Sequence, residues 1–285
     1  MAPDRTRGFR LLALDVDGTL LDPDGTLRPR TALAVARAAR VGIRPVLCTG
    51  RRYRRALPIA HRLGLDAPLV CNSGALVKDP ADHATLWRAD LDPTLLGDLL
   101  AFFDRHDEHA VSFHDRDPSG ADFVVALSPT GRPHFDDYLQ QNTPHAEVDP
   151  GWTLRPADRP HFHLCAIGDR PRMLAFESAL HAAFPERIRT FVQKSPRYAG
   201  TMCEVIRPDA SKWVAVLHLA ELWGVRPEEI CAVGDDMNDL PMIAGAGLGV
   251  AMGHAPAAVR QAADYVTADH DADGLAALIE DILLA

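Results

Sequence analysis

The 285-residue chain contains no apolar run approaching the ~18 residues that a membrane-crossing helix needs. Its first ten residues, MAPDRTRGFR, have neither the apolar stretch nor the small-residue cleavage site of a secretory signal, so a cytoplasmic protein is expected. Its five cysteines (Cys48, Cys71, Cys165, Cys203, Cys231) are scattered and form no C-x-x-C pair. That excludes a disulfide framework and a thiolate zinc site, and their apolar neighbours make them buried thiols. Positive charge is outnumbered, 30 lysines and arginines against 39 aspartates and glutamates. A formal net charge of −9 argues against an extended nucleic-acid surface, although it permits a local cationic pocket for a small anion. There is no internal repeat, low-complexity tract or long linker.

What is present is an ordinary globular balance, 47% hydrophobic and 24% charged, in a chain long enough for one large or two ordinary domains. The first seventy or so residues alternate apolar strand-like runs with amphipathic helical ones. RLLALDV, IRPVLCTG and APLVCNSGALV read as strands, and RPRTALAVARAARVG and RRYRRALPIAHRLGL as helices. Such alternation predicts an α/β fold with right-handed crossovers and a parallel sheet. After about residue 85 the style changes to short alternating strands (EHAVSFHD, ADFVVALS, PHFHLCAIG) mixed with two helical segments, an α+β pattern. From about residue 200 the first style resumes. The interruption predicts a discontinuous core of residues 1–85 and 198–285, carrying an inserted α+β domain over 86–197.

The strand LLALD ends in Asp15 and Asp17, one residue apart. Two carboxylates at the edge of an apolar core are costly unless a cation is held against them. In an extended strand they share one side, at the carboxyl end where open α/β sheets bind ligands. A bare D-x-D also fits a solvated loop, a glycosyltransferase or a calcium loop. Thr49, Gly50 and Arg51 end the second strand. A hydroxyl and unpaired N–H groups before a helix suit a phosphate oxygen, or simply cap the helix. Lys212 opens a helix shortly before a second acidic strand end, ICAVGDDMND, with Asp235, Asp236, Asn238 and Asp239. These acids repel one another unless compensated, and the regular calcium-loop spacing is absent. Neighbouring strands would bring both acidic ends together, and oxygen-only donors favour magnesium. A dinucleotide site is weakly supported, since GAGLGV at Gly245 lacks the sixth-position Gly or Ala and opens no long helix.

DVDGTLL at Asp15, CTGR at Thr49, SK at Lys212 and GDDMND at Asp235, followed by AGLGVAMGHA and AADYVTADHDADG, resemble the haloacid dehalogenase-like (HAD) superfamily in its Cof-type, subfamily IIB branch. The resemblance covers the whole core. It implies a Rossmann-like, mostly parallel core with a C2B-type cap, and a Mg2+-dependent phosphatase acting on a small phosphorylated metabolite. It makes Asp15 the nucleophile that forms an aspartyl-phosphate and Asp17 the acid and base. Thr49, Gly50, Lys212 and Asn238 would hold the phosphoryl group, and Asp15, the Asp17 carbonyl and Asp235 the magnesium. Asp236 and Asp239 would support the loop. A phosphomutase or a non-catalytic phosphometabolite sensor are the alternatives, and a monomer or a homodimer both fit.

Three positions depart from the family pattern. Trp213 replaces the glycine that usually follows the lysine, and would pack under the cap or alter the pocket floor. Ser73 and His254 stand where Asn-Gly and asparagine are frequent. In the inserted segment His161 and His163 alternate, on one strand face, as polar strand edges or as a second metal site. The basic run Arg51–Arg55 reads as a mostly solvated helix face that adds positive potential.

Overall fold

The computed structural model describes residues 8–115, 120–155, 157–194 and 197–284, so residues 1–7, on which the signal-peptide reading partly rests, lie outside it. In chain order the elements are β1 (Leu11–Asp15), α1 (Pro29–Arg40), β2 (Arg44–Cys48), α2 (Tyr53–Leu63), β3 (Leu69–Cys71), β4 (Leu76–Lys78) and β5 (Thr85–Arg88). There follow α3 (Pro93–Arg105), β6 (Val111–Phe113), β7 (Phe123–Val125), α4 (Pro133–Asn142), β8 (Ala146–Val148), β9 (His163–Gly168), α5 (Arg170–Ala183), β10 (Arg189–Lys194) and β11 (Thr201–Ile206). The last stretch supplies α6 (Lys212–Leu222), β12 (Ile230–Gly234), α7 (Leu240–Gly245), β13 (Leu248–Ala251), α8 (Ala257–Ala262), β14 (Tyr265–Val266) and α9 (Gly274–Leu278). Among the described residues no helix is long and apolar enough to cross a membrane.

The chain forms two compact units, Met1–Trp87 with Ser211–Ala285, and Arg88–Ala210. The sequence pattern puts the return to the first unit at residue 198, whereas the second unit runs to Ala210. The reason is β11, which pairs antiparallel along its length with both β10 and β9. The TMCEVI segment therefore completes the second unit's sheet.

The first unit is built on an eight-stranded sheet in the order β14-β13-β12-β1-β2-β3-β4-β5. Its strands are parallel from β14 through β3, and β4 turns back antiparallel to β3. The central strand β1 has helices' worth of apolar cover on both faces: Leu11 to Leu14 are all completely buried, as expected for a strand with no solvent face. β1 lies between β12 and β2, with Leu14 opposite Val233 and Asp15 opposite Cys48. That register brings three strand ends to one edge of the sheet: Asp15, Thr49 just after β2, and Asp235 just after β12.

The second unit is a six-stranded sheet, β10-β11-β9-β6-β7-β8, antiparallel except for β7 with β8. Leu95, Leu99, Phe103, Phe176 and Leu180 from α3 and α5 pack with Val124, Leu164, Ala166 and Val205 of the sheet. The alternation expected for His161 and His163 fails, because β9 begins only at His163. His161 Nδ1 lies 2.7 Å from Ser112 Oγ, while the His163 ring stacks on Phe113 with centroids 4.7 Å apart. Ser112 and Phe113 are consecutive in β6 and point to opposite faces, so the two histidines do not share one. Both are buried, and neither belongs to a metal-binding group among the described residues.

Candidate active site

Lys212 is the first residue of α6. The Ser211 hydroxyl accepts a hydrogen bond from Val214 N at 3.1 Å and so starts the helix in the usual N-cap manner. Gly74 fixes where this start lies: it has φ +95°, and a Cβ there would fall 2.1 Å from the Ser211 carbonyl carbon. The lysine then runs inward until it is 1% exposed. Its Nζ donates to Asp15 Oδ1 at 2.6 Å, Asp239 Oδ1 at 2.5 Å and Asn238 Oδ1 at 3.2 Å.

Burial alone would discharge this lysine, but Asp15 and Asp239 outweigh it and hold the ammonium above its ordinary value. The carboxylates show the other side of the same balance. Desolvation, then the Asp239 charge, pushes Asp15 well above the usual carboxylate range, with Lys212 only partly opposing. Asp239 is raised by burial, against the pull of Lys212. One ammonium is set against three carboxylates, since oxygens of Asp15, Asp235 and Asp239 all lie within 4.8 Å of one another.

Asp239 spends its oxygens on support. Oδ1 meets Lys212, and Oδ2 accepts from the backbone N–H of Asp235 and of Asp236, each at 3.0 Å. Asp236 caps the single turn Met237–Asp239 by accepting from Met237 N at 2.7 Å. Asp235 is aimed by Thr19, whose hydroxyl donates to Oδ1 at 2.9 Å. The turn after Asp17 passes against the same carboxylate: Gly18 has φ +90°, and a Cβ there would stand 2.5 Å from Asp235 Oδ2. Only glycine permits both the left-handed backbone and that approach. Hard oxygen donors with one compensating lysine fit a hard divalent cation, and Asp15 and Asp235 are the carboxylates not fully committed elsewhere.

Direct contacts thus unite Asp15, Lys212, Asn238 and Asp239, with Asp235 beside them. Thr49 is buried on the neighbouring strand end. Its N–H donates to Val70 O, its carbonyl accepts from Ser73 N, and its Oγ1 accepts from Arg51 N at 3.1 Å. Gly50 follows it, half-buried. Neither hydrogen-bonds to the carboxylate group among the described residues. The Asp17 side chain meets Arg51, whose Nε donates to Oδ2 at 2.7 Å and whose Nη2 donates to Oδ1.

Three residues that the sequence reading did not place among the site residues enter here. Arg51 was visible in CTGR, but its pairing with Asp17 depends on two loops meeting across 34 positions. Thr19 lies in the DVDGT motif itself. His254 places Nε2 3.6 Å from Asp235 Oδ2, and that carboxylate holds the imidazole above its ordinary value. Trp213 does otherwise than expected: its ring packs on the flank of α6 against Gly245 of α7, where a Cβ would lie 2.5 Å from Trp213 Cε2. It joins the core cluster with Val216, Leu219 and Met242. Arg52, in the basic run, is buried rather than solvated.

Comparison with known proteins decides what this arrangement belongs to. The family model described as haloacid dehalogenase-like hydrolase matches residues 12–279. The chain belongs to this family. Pyridoxal phosphate phosphatase YbhA of Escherichia coli (strain K12) is 31% identical, over 96% of this chain and 99% of the relative. The 5-amino-6-(5-phospho-D-ribitylamino)uracil phosphatase YitU of Bacillus subtilis (strain 168) is 28% identical, over 95% and 96%. Among solved structures, a haloacid dehalogenase-like hydrolase from Bacteroides thetaiotaomicron superposes with a TM-score of 0.77 at 26% identity, over 96% of this chain and 99% of that one. The subclass IIB sugar phosphatase BT4131 shares the fold at 20% identity, with a TM-score of 0.76 over 95% and 98%. The HAD fold and the HAD-type phosphoric monoester hydrolase class are thereby established for this chain.

Proposed function

We propose that the chain is a Mg2+-dependent phosphatase of small phosphorylated metabolites, working in the cytoplasm through an aspartyl-phosphate on Asp15. The observation that carries this reading is the buried set of Asp15, Lys212, Asn238 and Asp239 with Asp235 alongside. A carboxylate kept within 2.6 Å of a buried ammonium is fixed in place, and the ammonium is placed to offset charge on a transferring phosphoryl group. The relatives YbhA and YitU are named as phosphatases of pyridoxal phosphate and of a ribityl phosphate, which supports a compact phosphate monoester as substrate.

In this reading Asp15 Oδ attacks phosphorus while the bond from phosphorus to the leaving oxygen breaks. Asp17 supplies the proton that the leaving oxygen takes up. A water then attacks phosphorus, its proton passes to Asp17, the bond to Asp15 breaks and inorganic phosphate departs. Thr49 Oγ1, the Gly50 N–H and Asn238 hold phosphoryl oxygens throughout. Asp15, the Asp17 carbonyl and Asp235 would hold Mg2+, which supplies charge neutralisation for the carboxylates and the phosphoryl oxygens when bound. In this reading Arg88–Ala210 is the inserted cap domain.

The testing experiment is a panel of phosphorylated metabolites, including pyridoxal phosphate, assayed for inorganic phosphate with Mg2+ and with chelator, ranked by kcat/KM. Phosphate release that needs Mg2+ and no bisphosphate activator supports a phosphatase. Transfer to a second sugar hydroxyl in place of release would contradict it.

A further inference from the structure

The carboxylate of Asp17 is gripped from the side. Arg51 Nε donates to Oδ2 at 2.7 Å and Nη2 donates to Oδ1, so both oxygens are engaged by one planar group. Arg51 is itself fixed: its N–H donates to Thr49 Oγ1 at 3.1 Å and its carbonyl accepts from Asn72 N at 3.0 Å. The loop that carries Arg51 is thus tied to β2 and to the turn after β3. The Asp17 side chain, by contrast, is 36% exposed and is followed by Gly18 in a left-handed conformation. Without a partner such a side chain distributes over several rotamers. With the fork in place it has one plane and one direction.

A half-exposed ion pair adds little to fold stability, so stability does not account for so complete a grip. The geometry does suit a proton acceptor. Each carboxylate oxygen has two lone pairs, and a side-on guanidinium occupies one on each, leaving the other free to accept. We propose that Arg51 is the positioning residue for Asp17 in the second half of the reaction, fixing its carboxylate to take the proton from the attacking water. This rests on the reading of Asp17 as the proton carrier given above.

The proton balance agrees with that assignment. In the first half Asp17 loses its proton to the leaving oxygen, and the carboxylate so formed is the species a guanidinium fork binds best. In the second half the water oxygen bonds to phosphorus, one water proton moves to Asp17, and the phosphorus–Asp15 bond breaks. Arg51 receives the carboxylate between the two halves and holds it towards the water. A lysine cannot substitute, since a point charge does not set the plane of a carboxylate.

The test uses full-length enzyme with Mg2+ and an aryl phosphate whose leaving oxygen needs no proton, mixed rapidly so that the first turnover and the steady state are read separately. For Arg51→Ala the first-turnover release of the phenol should stay within about threefold of the parent, while steady-state kcat falls about ten- to hundredfold and phosphoenzyme accumulates. Added guanidinium should restore part of the lost kcat in Arg51→Ala, and Arg51→Lys should remain slow. Arg51→Ala combined with Asp17→Asn should be no slower than Asp17→Asn alone. Equal slowing of both phases, a change confined to KM, or no response to guanidinium would overturn the proposal. Two failures are distinguishable. If Asp17→Asn accumulates no phosphoenzyme, the proton-carrier reading falls and the role of Arg51 falls with it. If Asp17→Asn accumulates it and Arg51→Ala turns over normally, only the role of Arg51 is overturned.

Discussion

Lys212 and Asp15 are 197 positions apart in the chain, yet Lys212 Nζ donates to Asp15 Oδ1 at 2.6 Å in a buried pair. The contact exists because β1 is central in the sheet and α6 starts against Gly74, so an inward-running lysine reaches the carboxyl end of β1. The pair also defines the site's electrostatic condition. Three carboxylates converge on one ammonium, a deficit of positive charge that a bound cation relieves.

Removing the lysine exposes that deficit directly. Lys212→Met should abolish turnover and lower unfolding free energy in urea by about 3–5 kcal/mol, because Asp15 and Asp239 lose the buried cation they share. Adding Asp239→Asn to Lys212→Met should recover part of the stability and none of the activity. Recovery of activity would contradict the assignment of Lys212 to charge compensation.

The cation should report itself in stability as well as in rate. Titration with Mg2+ is expected to raise the thermal midpoint of the parent protein, in proportion to the logarithm of free Mg2+ above its Kd. Asp235→Asn should show no such rise at the same concentrations. A parent protein whose midpoint is indifferent to Mg2+, with turnover indifferent to chelator, would remove the metal from the reading.

Gly18 carries a sharper prediction. Gly18→Ala forces an alanine into φ +90° and brings its Cβ to 2.5 Å from Asp235 Oδ2. The strain should cost about 1–3 kcal/mol of stability. The displaced carboxylate should weaken Mg2+ binding by about tenfold or more, read by calorimetry on the folded variant. Unchanged Mg2+ affinity would mean that Asp235 is not a ligand.

The second unit should respond to acid. Burial holds His163 down to about 3, and burial with the Arg159 charge holds His161 down to about 4. In the unfolded chain both titrate near 6.5. Above that value both states are neutral and the stability they contribute is complete. Below it the unfolded state binds protons that the folded state refuses, so stability falls by about 1.4 kcal/mol per pH unit for each histidine until the folded values are reached. Hydrogen-exchange protection of β6 and β9 amides should drop between about pH 7 and about pH 5, and His163→Phe should remove roughly half of that slope.

Much of this was legible in the sequence, and the reasons for the exceptions are physical. The alternation of apolar runs gave the parallel sheet, since buried central strands cannot hide their composition. The two acidic strand ends were visible because carboxylates beside LLAL and ICAV have no structural excuse. What escaped was decided by pairing at a distance. β11 reads like a core strand, and only its partners β10 and β9 assign it to the second unit. His161 and His163 look like one strand face until β9 begins at the later residue. Trp213 looked like an intrusion into the site because its complement, the bare surface of Gly245, lies 32 residues on in sequence. The grip of Arg51 on Asp17 required both loops in three dimensions.

The central claim is that Asp15 carries the phosphoryl group during turnover. The most direct measurement is acid quenching of enzyme mixed with a phosphorylated substrate and Mg2+, followed by mass spectrometry of the peptide containing Asp15. The expected result is one phosphoryl group on that peptide, labile to hydroxylamine and absent in Asp15→Asn. A phosphoryl group on another residue, or hydrolysis by Asp15→Asn at the parental rate, would contradict it.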